Sequence, residues 1–296
     1  AEPAHPAGMR AVAPILAAPV RPARRRLAWL PRSTALRIGL ALILFWALVA
    51  LLAPLIAPYA PNAQHMTAAR NLFPSAHHWL GADQLRRDIL SRVIWGARPV
   101  LTLAPAALLA AYAIGISAGL AAGYFGGWVD DVVSRAADVL LAFPKIVLYV
   151  VLISSLGPSA LNVVIAVVVV SSPGICRLVR GMTLDLLRRD FVDAARTRGE
   201  TAAFIMFVEI LPNARGPLLV DFCMRMGYTI IAIGVLGFLG LGLPPPNPDW
   251  GGMVREATPM LVVYPHMALV PAFAITSLVM GFNLVADGLQ DLADGG

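Results

Sequence analysis

The chain has 296 residues, of which 58% are hydrophobic and only 14% charged, and its mean hydropathy is +0.75. Soluble domains carry about 25% charged residues, so this balance excludes a water-soluble globular enzyme. The 23 basic residues outnumber 17 acidic ones for a net charge of +6, which in so apolar a chain reads as membrane charge asymmetry and not as a nucleic-acid footprint.

A hydrocarbon layer of about 30 Å needs roughly 20 helical residues. Charge-free runs of at least that length occupy residues 38–57, 99–129, 146–176, 226–248 and 257–286, so the composition predicts an all-α, polytopic membrane protein. Residues 1–34 precede them as a flexible basic tail with Arg21, Arg24, Arg25, Arg26 and Arg32. The first run is longer than the 7 to 15 residues or so of a signal-peptide core, so it reads as a retained span. In the second run Gly123, Gly126 and Gly127 predict a stop near Ala122 and a glycine-rich turn after it. Gly157, Pro158 and Ser159 interrupt the third run, which therefore predicts two spans, 138–156 and 160–180. A fifth span over 216–241 and a sixth over 264–286 complete six transmembrane helices in a domain covering 35–294.

Six spans put both termini on one side, and the arginine cluster ahead of the first span assigns that side to the cytoplasm. Seventeen basic residues then lie inside and six outside. Two polar segments remain, an outer loop at 58–97 and an inner one at 181–215. The inner loop mixes Leu186, Leu187, Phe191, Ala194, Ala195 and Phe204 with charged residues at amphipathic helical spacing. Its apolar stripe needs either the membrane surface or a partner protein. Cys176 and Cys223 read as small buried hydrophobes without a disulfide.

Several motifs have a bland alternative. The chain contains no phosphate-binding P-loop, and its single lysine, Lys145, starts a span and reads as a snorkelling interfacial residue. Gly115-Ile-Ser117-Ala-Gly119 matches a serine-hydrolase elbow, and with His266 it permits an intramembrane hydrolase reading. The same Gly115, Gly119 and Gly123 form a four-residue stripe of the kind that packs membrane helices closely, which is the preferred reading here. His65, His77 and His78 could suggest a metal, yet they lack a completing Cys or carboxylate and read as surface histidines, so no metal ligand is assigned.

Asp193-Ala-Ala-Arg-Thr-Arg-Gly199 followed by Ile210-Leu211-Pro212 resembles the Glu-Ala-Ala-x-x-x-Gly loop of binding-protein-dependent ABC importer permeases. Other stretches are similar to the C-type permease subunit of the peptide and nickel importer family. Among them are His78-Trp-Leu-Gly-Ala-Asp83, Arg87-Asp-Ile-Leu-Ser-Arg92, Gly96-Ala-Arg98, Gly123-Tyr-Phe-Gly-Gly-Trp128 and Leu140-Leu-Ala-Phe-Pro144. Arg177-Leu-Val-Arg-Gly181, Gly237-Phe-Leu-Gly-Leu-Gly242, Pro248-Asp-Trp-Gly251 and Phe282-Asn-Leu-Val-Ala-Asp-Gly-Leu289 extend the likeness from Leu36 to Asp294. The departures are Asp193 for Glu, Glu209 for an aliphatic residue, Arg86 for a turn glycine, and a C-terminal Asp294-Gly-Gly where Pro is expected after the Asp.

The resemblance implies a type I ABC importer permease fold in a bacterial inner membrane, paired as a heterodimer with a second homologous permease. It also implies two cytoplasmic ATPase subunits, which bind the ATP and Mg, an external solute-binding protein, and no cofactor on this chain. Peptide is the implied cargo, with nickel or a nickel chelate as the alternative; apart from the resemblance, a passive channel is a further function class. Ala194, Ala195 and Gly199 would seat a coupling helix, Pro212 would mark the start of the next helix after Leu211, and Asp193, Arg196, Arg198 and Glu200 would contact the ATPase.

Overall fold

The structure, a computed structural model, describes residues 33–64 and 72–294. The basic tail expected over 1–34 therefore lies almost wholly outside the described residues, as do His65 and Arg70. Helix α1, Thr34–Ile56, is followed by α2, Ile89–Phe125, and α3, Gly127–Leu141. Next come α4, Lys145–Leu156, and α5, Ala160–Leu186. The short α6, Asp190–Thr197, and α7, Ala202–Phe204, lead into a π-helical turn, Ile205–Ile210, and then α8, Leu211–Asn213. Helix α9, Arg215–Phe238, the short α10, Trp250–Ala257, and α11, His266–Asp294, complete the chain. Among the described residues, five helices are long and apolar enough to cross a bilayer, or six when α3 and α4 count as one bent span.

Three boundaries differ from the expectation. Helix α2 begins at Ile89, so the loop before it ends nine residues earlier than the expected boundary at 97. Asp88 caps the helix by accepting from Ser91 N at 2.7 Å, and the charges that looked like loop residues have partners in the protein. Arg98 Nε donates to Ala50 O at 2.8 Å, and Arg92 is ion-paired. At its other end α2 runs through Gly123 and breaks only at Gly126, whose φ is +60°. The third span, expected over 138–156, is instead part of a longer pair of helices, α3 and α4, bent by 89°. Pro144 stands at that bend, lacking an N–H and disfavouring helical backbone at Phe143.

Helices α2 and α5 form the most extensive pair, α1 lies along α11, and α11 also packs on α9. The glycine stripe of α2 faces α5. A Cβ at Gly119 would sit 2.6 Å from Cys176 O, and one at Gly115 2.7 Å from Ile175 Cβ, so the two backbones approach as closely as these residues allow. Near the α10 end, buried Trp250 donates to Val93 O at 2.9 Å and meets Trp46 edge-on, while Trp46 donates to Ser277 Oγ. These bonds join α1, α2, α10 and α11 around satisfied indole N–H groups. Leu51 and Phe273, each 71% exposed, show the apolar outer surface that lipid would cover.

Candidate functional site

The connection between α5 and α9 is folded, not extended. Asp190 and Asp193 occupy the first turn of α6 and Arg196 its last, an order that complements the helix dipole. Val192 and Ala195 are fully buried beneath α6, against the π-helical turn in which Ile205, Met206 and Ile210 are also buried. Asp193, Ala194, Arg196 and Arg198 lie on the exposed side. Sequence reasoning grouped Ala194 with Ala195 as seating residues, but only Ala195 is seated within this chain.

Gly199 ends α6 with φ +79°. Glu200 N donates to Ala195 O at 3.2 Å and Gly199 N to Arg196 O at 2.9 Å, the paired bonds of a Schellman cap, which needs a left-handed residue at this place. Arg198 turns back to Glu209 at 2.8 Å and lies 3.6 Å from Glu200. Glu209, a departure from the resembled pattern, thus acts as an internal tether. Arg196 meets Asp193 at 3.4 Å and stands 6.0 Å over the Tyr124 ring at the end of α2. Each of the four polar residues expected to face outward has an ion-pair partner within the chain; Asp193, Arg196 and Arg198 remain exposed, and Glu200 is half-buried.

Pro212 stands in the first turn of α8, but helical structure after α6 begins before it. Helical structure already begins at Ala202, where Thr201 Oγ1 accepts from Phe204 N at 3.2 Å. The π turn ends in a bond from Leu211 N to Met206 O, and Pro212 follows as the exposed second residue of α8.

A charged cluster that sequence reasoning missed occupies the opposite end of the bundle. Arg87 bridges Asp83 and Glu256, each at 2.6 Å, and Arg92 reaches the same two carboxylates at 3.4 and 3.2 Å. This ties the loop before α2 to α10. The signal was in the Arg87-to-Arg92 motif, but its acid Glu256 is 169 positions away from Arg87. Beside the cluster a cavity of about 510 Å³ opens between Arg255, Asp249 and the proline loop 244–246. Burial raises the Asp249 carboxyl to a pKa of about 6, and burial likewise raises that of Glu256. Arg86, standing where a glycine was expected, keeps the sharp turn with φ +62°.

The family profile described as "binding-protein-dependent transport system inner membrane component" matches residues 115–295, and "N-terminal TM domain of oligopeptide transport permease C" matches 23–74. The glutathione transport system permease protein GsiD of Pectobacterium atrosepticum is 41% identical over 90% of this chain and 88% of its own length. The dipeptide transport system permease protein DppC of Alkalihalophilus pseudofirmus is 38% identical over 93% of this chain and 90% of its own. DppC of Haemophilus influenzae is 38% identical over 95% and 97%. The chain belongs to the binding-protein-dependent transport system inner membrane component family.

This inner-membrane permease is a multi-pass transport subunit and not an enzyme. Its family membership implies ATPase and binding-protein partners. The hydrolase elbow lacks its strand-to-helix turn, because Ser117 sits inside continuous α2 with its hydroxyl donating to Ala113 O at 2.8 Å. His266 lies beside Gly81, ahead of the start of α2 at Ile89, and Ser117 is 28 residues farther along that helix, about 42 Å from its start. His78, expected at the surface, is buried with its Nδ1 within 3.0 Å of the Asp88 carboxylate, and among the described residues no three His, Cys, Asp or Glu side chains converge on a metal position. Cys176 and Cys223 are both free.

Proposed function

We propose that this permease is the C-type membrane subunit of an ATP-driven peptide importer, paired with a second homologous permease as a heterodimer. The α6 end faces the cytoplasm with both termini, and the α10 end faces the solute-binding protein. Two ATPase subunits hold the ATP and Mg; this chain carries no cofactor. Peptide is favoured over a nickel chelate because the relatives described above are named for dipeptide and glutathione transport.

The observation that carries the reading is the exposed polar face of α6, on a helix packed through its inner face and closed at its C-terminal cap. Its inner face is buried and its cap is closed, so α6 moves only with the spans on either side of it. A force applied at Asp193, Ala194 and Arg196 therefore reaches α5 and α9 as a rigid displacement, which is how a permease alternates between inward-facing and outward-facing states.

A photo-crosslinking side chain at Ala194, in the assembled importer, tests this. Adducts with an ATPase subunit are expected, while the same probe at Leu51 gives none. Adducts with lipid alone at Ala194 would refute the coupling role.

A further inference from the structure

Two basic side chains on the candidate spanning helices share one cavity. Lys145 at the start of α4 and Arg225 on α9 line a single cavity of about 180 Å³, together with Tyr149, Ser171, Tyr228 and Thr229. The cavity follows α9 from Arg225 to Leu236, about 16 Å of helix. Arg225 donates through Nε to Asp221 at 2.6 Å, and Asp221 also accepts from the Tyr112 hydroxyl. Gly174 makes room for this guanidinium, since a Cβ there would stand 3.0 Å from Arg225 Nη1. Lys145 makes no hydrogen bond or ion pair among the described residues. Lys145 stands immediately after the 89° break that separates α3 from α4.

Charged groups within a bilayer are expensive unless they face a partner or a watery path, and they mark that path when found. Asp221 compensates Arg225, so Lys145 leaves one positive charge unanswered. The other end of the cavity is apolar, with Ile231, Ala232, Val235 and Leu236. Binding pockets for small molecules usually enclose roughly 300 to 1,000 Å³, so this cavity is large enough for only one end of a ligand.

We infer that this cavity is the chain's share of the translocation path, and that Lys145, seconded by Arg225, receives the C-terminal carboxylate of the passing peptide. That carboxylate is the one anion shared by peptides of any side-chain content, so a path that must pass varied cargo can use it. The apolar end accommodates the adjoining side chain, and the partner permease supplies the remaining wall. The inference rests on the peptide-importer reading above.

The test uses the complete importer in liposomes with its binding protein, and follows uptake of labelled dialanine and of glutathione. Lys145 is exposed, so its substitution leaves the packing intact. For whichever probe the wild type carries, Lys145→Gln is expected to slow uptake roughly tenfold, the scale of a lost charge-assisted contact. Lys145→Arg should restore most of the rate and Lys145→Glu should fall below Gln, with binding-protein stimulation of the ATPase retained throughout. Rates that do not follow the charge at position 145, or wild-type uptake in Lys145→Gln, would overturn the inference alone. Failure of the wild type to carry either probe would overturn the peptide reading and this inference with it.

Discussion

Substitutions at Gly199 separate what α6 requires of its own backbone from what it requires of a docked partner. The residue is left-handed, at φ +79°, and a Cβ added there meets no atom within 4 Å. Within this chain Gly199→Ala therefore costs only the left-handed backbone term, about 1–2 kcal/mol. That is a loss of roughly 5- to 30-fold in the ratio of capped to frayed α6. Gly199→Asn should cost less, because Asn visits this region more readily. Gly199→Arg finds the same empty space and should match Ala, unless another protein occupies it. The assay is solute imported per ATP hydrolysed in the reconstituted complex. The expected order is Gly, Asn, Ala, with Arg nearly uncoupled although the subunit still inserts into the membrane. The excess of Arg over Ala measures the partner contact. Ala performing as well as Asn would refute the backbone argument, and wild-type transport by Gly199→Arg would refute the docking assignment.

Three other sites give independent readouts. Arg86→Gly relieves a left-handed non-glycine residue, and after glycine's larger unfolded-state entropy is deducted the gain is roughly 0.5–1 kcal/mol; an unfolding midpoint that stays level or drops would refute the strain. Gly119→Ala places a Cβ 2.6 Å from Cys176 O and 2.7 Å from Val179 Cβ, so α2 and α5 must separate at a cost of about 1–3 kcal/mol. Thermal unfolding in detergent should register it, whereas Ser117→Ala on the same helix should leave transport unchanged. Asp249 has its folded pKa raised by burial from 3.8 to about 6. Between those values the folded state holds more protons than the unfolded chain, so this residue's contribution to stability falls as pH rises from about 4 to about 6 and is level above that. Asp249→Asn should flatten that part of the melting profile; an unaltered slope would assign it to another group.

The sequence made the spans of α1, α5, α9 and α11 legible, because a long charge-free run has few alternatives to a membrane helix. It misplaced the start of α2 because counting charges treats every arginine as solvated. Arg92 is buried instead, answered by Asp83 and by Glu256, which is 164 positions away. The bend at Pro144 was visible as a residue and invisible as an angle, since hydropathy records how apolar a run is and not which way it points. Around α6, the cap at Gly199 could be read from local chemistry because its bonds join near neighbours. The choice between Ala194 and Ala195 could not, because it depends on how α6 docks on residues 205–210. Those residues form a π turn, which adds a residue to one turn and advances the following side chains by about 100° from a 3.6-residue pattern. Glu209 lies within that turn and reaches Arg198. The departure from the resembled sequence and the departure from regular helix thus occur together, and both serve to fasten α6 to the head of α9.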